Sequence, residues 1–175
     1  GNGIGDMQAV LTPLQKGLEE KGATYKLNLR ATNFIVDGEG APIGVRFNDE
    51  KNNKTVDIRA KKIIVATGGF MGDGFEAEPG KMQESIFRLP LCLENGGMPS
   101  ANPADWSEES VFARHAFATL RVRVDAELRP CSAEGPVLLD NVRFVGRSLG
   151  GYDFATEKSG NGVALATAWH VAQCV

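Results

Sequence analysis

The first strongly periodic segment of the chain runs from Asp6 to Lys21. Its apolar residues recur at spacings of three and four, which predicts an amphipathic helix that Gly22 stops. Pro13 conflicts with a straight helix of this length. Either Thr12 caps a new start with Pro13 in the first turn, or the helix is kinked there. The apolar positions are Met7, Val10, Leu11, Leu14 and Leu18.

Alternating apolar and polar residues follow the helix and predict strands. The first strand is expected at Thr24–Leu29, with Tyr25, Leu27 and Leu29 on one face. Three further segments are separated by polar turns, which is typical of an antiparallel meander. These segments are Thr32–Val36, Pro42–Asn48 and Lys54–Ala60.

The pattern changes between Lys61 and Thr67, where Ile63 to Ala66 are apolar without interruption. Such a run is typical of a strand that is buried on both faces, as in a parallel sheet. Beyond Gly68, frequent glycine and proline predict an irregular region as far as Arg129, with a short helix at Ser107–Ala118 and a strand at Leu120–Val124. A last strand at Asn141–Val145 ends at Gly146, and an alanine-rich helix is expected at Gly162–Gln173.

Together these elements predict an α/β fold: a partial Rossmann-like domain with parallel strands near Tyr25, Ile64 and Phe144, flanking helices and a three-stranded meander. Apolar residues form 42% of the 175 residues and charged residues 23%, which is the composition of a globular domain. The net charge of −3 gives no basic footprint for nucleic acid. The longest apolar run is Val163 to Trp169, far short of the roughly 20 residues of a membrane span.

Cysteine and histidine usage points away from metal and disulfide chemistry. Cys92, Cys131 and Cys174 form no CxxC pair, so reduced thiols in a cytoplasmic protein are expected. With only two histidines and no clustered ligands, we expect no metal site.

The chain contains 21 glycines, and three groups of them matter. The opening GNGIG follows no strand, which favours a plain loop. The sequence Ala66-Thr67-Gly68-Gly69 ends the apolar strand, where ligands of open α/β sheets bind and where missing Cβ atoms permit close approach. The third group, from Gly146 to Tyr152 and from Ser159 to Val163, places a strand end, a turn and a helix start together. Free N–H groups at a helix start attract anions and electron-rich carbonyls.

Longer stretches carry a family resemblance. Leu14 through Phe70, including KKIIVATGGF, resembles the latter half of a flavin-binding domain of the fumarate reductase and succinate dehydrogenase type. The stretches RLPLCLENGG, VRVDAELRP and NVRFVGRSLGGYD with SGNGVALATAWHVAQ resemble the C-terminal part of the B subunit of anaerobic glycerol-3-phosphate dehydrogenase. The resemblance covers nearly the whole chain.

This resemblance implies a flavoprotein subunit, with FAD or FMN as cofactor, that oxidises glycerol 3-phosphate to dihydroxyacetone phosphate and passes electrons to a quinone. It implies that Thr67 and Gly68 lie near the ADP or phosphate part of the cofactor. Gly146, Arg147 and Ser148 would follow the pyrophosphate or ribityl chain, and Ser159 to Val163 would lie under the pyrimidine edge of the flavin. The full implied cofactor set is Thr67, Gly68, Gly69, Gly146, Arg147, Ser148, Gly150, Gly151, Ser159, Gly160, Asn161, Gly162 and Val163.

Flavoproteins of this type begin with a strand, GxGxxG and a helix, and the chain has no such fingerprint. We therefore expect residues 1–175 to be a single C-terminal fragment of a larger subunit, with half of the cofactor site missing. The expected partners are other subunits of a membrane-associated dehydrogenase, which would hold it at the inner face of the membrane. An exposed sheet edge would favour a homodimer. The expected divisions are helix and strand 1–31, meander 32–60, strand and ATGG turn 61–70, irregular region 71–130, and final strand, turn and helix 131–175.

No catalytic acid or base is assigned from the sequence. His115 and His170 fit packing or surface roles, and Cys92 and Cys131 have no adjacent base in the sequence. Arginines at 121, 123, 129 and 143 suit a phosphate, a partner subunit or solvent. Two other functions stay open: a related flavoenzyme acting on another substrate such as fumarate or a ketosteroid, and a non-catalytic module that docks a partner subunit.

Overall fold

The computed structural model describes residues 7–78, 80–152 and 157–175. Two longer helices and nine strands occur in these residues, with short 3₁₀ turns between them. The helices are α1 (Met7–Glu20) and α2 (Gly160–Cys174). The strands are β1 (Leu29–Val36), β2 (Pro42–Asp49), β3 (Lys54–Arg59), β4 (Ile63–Val65), β5 (Phe75–Glu78), β6 (Lys81–Glu84), β7 (Leu91–Cys92), β8 (Arg121–Val122) and β9 (Val142–Phe144).

Helix α1 confirms the first periodic segment and resolves the position of Pro13. The helix runs without interruption from Met7 to Glu20, so Thr12 does not cap a new start. Gly22, with φ of +70°, ends it: its N–H donates to Glu19 O, and the Ala23 N–H donates to Leu18 O. The apolar face of α1 is largely uncovered. Val10, Leu11, Leu14 and Leu18 are each between 43% and 53% exposed.

The meander is confirmed as the antiparallel sheet β1-β2-β3. Gly44 is required where β2 crosses β3, because a Cβ there would lie 2.4 Å from the Ile58 carbonyl oxygen. An Arg46–Asp57 ion pair joins the same two strands, with Nε 2.8 Å from Oδ1. Phe34 of β1 stacks on Phe87 at 5.1 Å between ring centroids and so ties the meander to the core.

The two predicted parallel strands near Ile64 and Phe144 pair as β4 and β9, with Ile63 opposite Val142 and Val65 opposite Phe144. The expectation that β4 is buried on both faces is wrong. Ile63 and Val65 are buried, but Ile64 is 47% exposed, because β4 belongs to a two-stranded sheet with one covered face. The α/β class is therefore present in coarse form, with one parallel pair rather than a Rossmann-like sheet in the described residues.

Two predicted elements are absent. Residues 24–28 are irregular, because Asn28 has φ of +60° and β1 begins only at Leu29, which pairs with the last residue of β2. The helix predicted at Ser107–Ala118 is also wrong. There, the His115 ring accepts the Glu108 N–H and meets the Val111 carbonyl oxygen, and these contacts hold a compact loop. Only Ala116–Thr119 forms a 3₁₀ turn, and the predicted strand after it shortens to β8.

The core forms where β4, β9, β7 and β8 meet the β5–β6 hairpin. Its most enclosed side chains are Phe144, Val142, Leu91, Leu120 and Val122. No helix in the described part of the chain is long and apolar enough to cross a membrane.

Glu84 is a fully buried carboxyl at the end of β6. Its Oε1 accepts the Ile86 N–H at 3.1 Å and its Oε2 accepts the Phe87 N–H at 2.6 Å. Burial raises the pKa of Glu84 above its ordinary value, against the lowering effect of these two N–H groups.

This raised pKa predicts a pH dependence of stability. The folded state holds the Glu84 proton more tightly than the unfolded state does, so the free energy of unfolding falls as pH rises from the ordinary carboxyl pKa through the raised one. Glu84→Gln cannot titrate. In chemical denaturation, we expect the stability of wild type relative to Glu84→Gln to decline as pH rises above the ordinary carboxyl pKa of about 4. A relative stability that increases with pH would contradict the assignment.

Candidate functional site

A cavity of about 420 Å³ opens at the carboxyl ends of β4 and β9, beside the start of α2. We call it the strand-end cavity. Three separate segments of the chain form its wall, and each contains a glycine that the sequence analysis singled out. The lining residues are Ala66, Gly68, Val145, Gly146, Arg147, Tyr152, Gly160, Asn161, Ala164 and Ala168.

Gly146 follows β9 and lies in contact with α2. Its φ of +68° favours glycine, and its N–H donates to the Thr167 hydroxyl at 2.9 Å. A Cβ on Gly146 would lie 3.7 Å from the Ala164 Cβ, so the helix packs closely against the strand end. Short residues therefore set the separation of α2 from β9, and with it the depth of the cavity.

Arg147 forms the basic side of the cavity. Its Nη2 donates to the Ala118 carbonyl oxygen at 3.3 Å, and its Cζ lies 5.8 Å from the centroid of the Tyr152 ring. Its Cγ would lie 3.4 Å from a Cβ placed on Gly69, so any larger residue at 69 would press on this side chain. The Arg147 guanidinium is thus held in place beside the cavity.

Three buried hydroxyls near the cavity have no hydrogen-bond partner within the described residues: Thr67 Oγ1, Tyr152 OH and Ser159 Oγ. A buried hydroxyl without a partner is costly, so such groups are commonly satisfied by a bound molecule. Gly160 and Asn161 at the start of α2 also line the cavity, and this end of the helix carries partial positive charge. The donor set suits a polar ligand with phosphate and carbonyl oxygens.

The remaining predicted residues lie around the cavity rather than in its lining. The Ser148 hydroxyl donates to the Val145 carbonyl oxygen at 3.0 Å, and a Cβ on Gly150 would lie 2.4 Å from the Leu120 carbonyl oxygen. Both residues shape the turn after β9. Gly162 is exposed and Val163 is half-buried, whereas Thr67 lines a neighbouring cavity of about 680 Å³. The GNGIG group lies outside the described residues.

Sequence reasoning did not assign Tyr152, Ala66, Val145, Ala164 or Ala168 to the site. Ala164 and Ala168 follow Gly160 at intervals of four, which places all three on one face of α2. This spacing is the feature of the sequence that could have identified Ala164 and Ala168 as cavity residues. Tyr152 directly follows the paired glycines, but only the fold turns it toward Arg147.

Among the described residues, no histidine, cysteine or carboxylate lines this cavity. The His115 Nδ1 accepts the Glu108 N–H and its Nε2 faces the Val111 carbonyl oxygen, so both ring nitrogens are engaged by the backbone of the surrounding loop. His170 Nε2 lies 2.8 Å from the Ala126 carbonyl oxygen. Burial raises the pKa of the Cys131 thiol, which disfavours the thiolate. No group of three or more potential metal ligands occurs in the ranges described.

Comparison with known proteins adds an independent finding. The sequence profile of the FAD binding domain family matches residues 2–92, just over half of the chain. The family description names FAD, and nothing in the comparisons supports the FMN alternative. The matched region includes the meander, β4 and the Thr67–Gly69 turn, whereas the rest of the strand-end cavity lies beyond it.

Individual relatives extend further along the chain. The probable B subunit of anaerobic glycerol-3-phosphate dehydrogenase from Halobacterium salinarum is 33% identical over 144 residues, which is 82% of this chain and 32% of that protein. The B subunit of the Yersinia pestis enzyme is 33% identical over 123 residues, or 70% of this chain and 27% of that protein. The Vibrio cholerae B subunit is 31% identical over 141 residues, or 79% and 30%. The chain thus spans about a third of the length of these relatives, and it belongs to the FAD binding domain family.

Proposed function

We propose that this chain binds FAD in the strand-end cavity and forms the C-terminal part of a flavin-dependent dehydrogenase subunit. The observation that carries this proposal is the meeting of Gly68, Gly146 and Gly160 around one cavity. Gly68 and Gly146 have positive φ, and a Cβ on Gly68 or Gly160 would meet no atom of the described residues within 4 Å. These positions leave open space next to unpartnered hydroxyls, as a bound cofactor requires.

Each wall of the cavity has a role in this proposal. Arg147, with Thr67, Gly68 and Gly69, binds the phosphate-containing part of FAD through its charge and through backbone N–H groups. Ser148, Gly150 and Gly151 fix the turn that presents Arg147 and Tyr152. The start of α2 stabilises negative charge on the flavin ring. The residues at this helix start are Ser159, Gly160, Asn161, Gly162 and Val163. FAD itself supplies the two-electron chemistry.

The strand-end cavity accommodates part of a dinucleotide rather than all of it. We infer that the complete FAD site also uses a strand, glycine-rich turn and helix from a longer subunit, in which residues 1–175 are one C-terminal fragment. The relatives, of which this chain spans about a third, support this division.

The names of the relatives support a substrate. We infer that the full enzyme oxidises the secondary hydroxyl of glycerol 3-phosphate to the ketone of dihydroxyacetone phosphate, releasing two electrons and two protons. The electrons pass to FAD and then, through further subunits, to a membrane quinone. The protein would be cytoplasmic and peripheral to the inner face of the membrane, held there by those subunits.

The uncovered apolar face of α1 favours a second function for the same chain, the docking of another subunit. Contiguous exposed apolar residues are typical of protein–protein contacts, and Val10, Leu14 and Leu18 provide such a row on α1. A colourless full-length subunit that still copurifies with its partner would favour docking without catalysis. A homodimer through the same face is the remaining alternative, and light scattering distinguishes it.

The cofactor assignment predicts that filling the cavity weakens FAD binding without unfolding the chain. Gly160→Leu places a bulky side chain into the cavity while improving helix propensity. We expect unchanged or higher thermal stability and at least a roughly tenfold loss of FAD affinity in a fluorescence titration. Gly17→Leu in α1 is the matched control, because Gly17 is also a helical glycine with no atom within 4 Å. Equal FAD affinity in both variants would contradict the site.

Tyr152→Phe tests the unpartnered hydroxyl separately. Removal of the buried OH is expected to leave the free energy of unfolding unchanged or to raise it by up to about 1 kcal/mol, because no protein hydrogen bond is lost among the described residues. FAD affinity should fall roughly two- to tenfold. Denaturation and FAD titration of the same preparation give both values. A destabilised variant with normal FAD affinity would mean that the hydroxyl serves the fold instead.

A further inference from the structure

Four arginines lie between Leu120 and Gly146, on or near strands, and the structure separates them into two pairs. Arg129 forms ion pairs with Asp125 and Asp140, and Arg143 forms one with Glu127. Arg121 and Arg123 have no carboxylate within 4.0 Å in any of the three described ranges. Both are only partly exposed. Within the described residues, no carboxylate therefore compensates their positive charges at ion-pair distance.

Arg121 and Arg123 extend from the same face of the β8 segment, because the intervening Val122 points into the core. Each guanidinium is positioned by a neutral acceptor in the loop after β7. Arg121 Nη2 donates to the Glu94 carbonyl oxygen at 3.0 Å, and Arg123 Nη2 donates to the Gly96 carbonyl oxygen at 2.6 Å. The Glu94 carboxylate is itself engaged by Arg114.

Arg121 has capacity left for a ligand. Its Nε is buried and has no hydrogen-bond partner among the residues described. Arg123 has a charge interaction with Glu134, because the pKa of Glu134 is lowered mainly by a hydrogen bond to Ser132 and, to a smaller extent, by the charge of Arg123. Since guanidinium groups match phosphate oxygens in geometry and charge, a phosphate group would satisfy this pair.

The position of Arg121 relates the pair to the proposed cofactor site. A Cβ on Gly151 would lie 3.7 Å from Arg121 Nη1, and Gly151 directly precedes Tyr152 of the strand-end cavity. Neither Arg121 nor Arg123 lines that cavity. The pair therefore borders the cavity from outside, which favours a second ligand over the cofactor itself.

We propose that Arg121 and Arg123 form an anion site that binds the phosphate group of a small phosphomonoester substrate. This inference rests on the proposed function and identifies the group by which that site selects its substrate. Such an anion site would select a phosphorylated polyol over an uncharged substrate such as a ketosteroid. The same phosphate chemistry also exists in the pyrophosphate of FAD, so the test must separate the two sources.

The test is calorimetric titration of the 175-residue chain with glycerol 3-phosphate, with and without added FAD, using glycerol as the probe that lacks phosphate. We expect wild type to bind glycerol 3-phosphate and not glycerol. Arg121→Gln and Arg123→Gln should each weaken binding about tenfold or more. Arg59→Gln is the matched control, because Arg59 is an exposed arginine on β3, also without an ion pair in the described residues. It should bind as wild type does.

Arg121→Lys controls for misfolding, because lysine retains the positive charge but lacks the planar guanidinium group. It should weaken binding less than Arg121→Gln while showing a wild-type circular dichroism spectrum. Equal binding by folded wild type and both Gln variants, or no binding by wild type, would overturn the inference. A loss of FAD affinity in Arg121→Gln with unchanged glycerol 3-phosphate binding would also overturn it, by assigning the pair to the pyrophosphate. Binding of glycerol 3-phosphate but not FAD would instead overturn the proposed function alone.

Discussion

The parallel pairing of β4 with β9 is the interaction on which the rest of the structure depends. It joins segments far apart in the chain, and the Ile63 N–H to Asn141 and Val145 N–H to Val65 hydrogen bonds extend it at both ends. Asn141 also donates to the Pro42 carbonyl oxygen at 2.6 Å, which fixes the meander to the same sheet. Because parallel strands end at one edge, this pairing places the Gly68 and Gly146 turns side by side. The cavity and its orientation toward α2 follow from that arrangement.

Polar groups in this fold differ in whether the described residues supply them with a partner. Arg46 and Arg129 are matched by carboxylates, and the buried Glu84 is matched by two backbone N–H groups. Near the cavity, Thr67 and Tyr152 keep buried hydroxyls without a partner within the described ranges. A fold selected only for stability would remove such groups, because each costs on the order of 1–3 kcal/mol when left unpaired. Their position next to strand ends and a helix start is what the proposed FAD site would require.

Sequence periodicity correctly predicted the elements that depend mainly on neighbouring residues in the chain. The 3.6-residue period and Gly22 define α1, and the alternating strands with polar turns define the meander. The strand expected at Thr24–Leu29 failed because Asn28 turns the backbone, so that pairing with β2 begins only at Leu29. The helix expected at Ser107–Ala118 failed because His115 side-chain contacts, invisible to periodicity, stabilise a loop. Burial of Ile64 was overestimated because an apolar run does not show how many strands cover it.

The candidate site shows the same division between local and long-range information. A glycine pair after a strand and glycines before a helix can be read from the sequence, and the structure brings Gly68, Gly146 and Gly160 to one cavity. Tyr152 could not be found this way, because its place depends on Arg147 and on the turn that Gly150 packs against Leu120. Arg121 and Arg123 show even more clearly that contacts between distant segments cannot be read from the sequence. In sequence they are indistinguishable from Arg129 and Arg143, and only the positions of the surrounding carboxylates separate guanidiniums that stabilise the fold from those left with charge to offer a ligand.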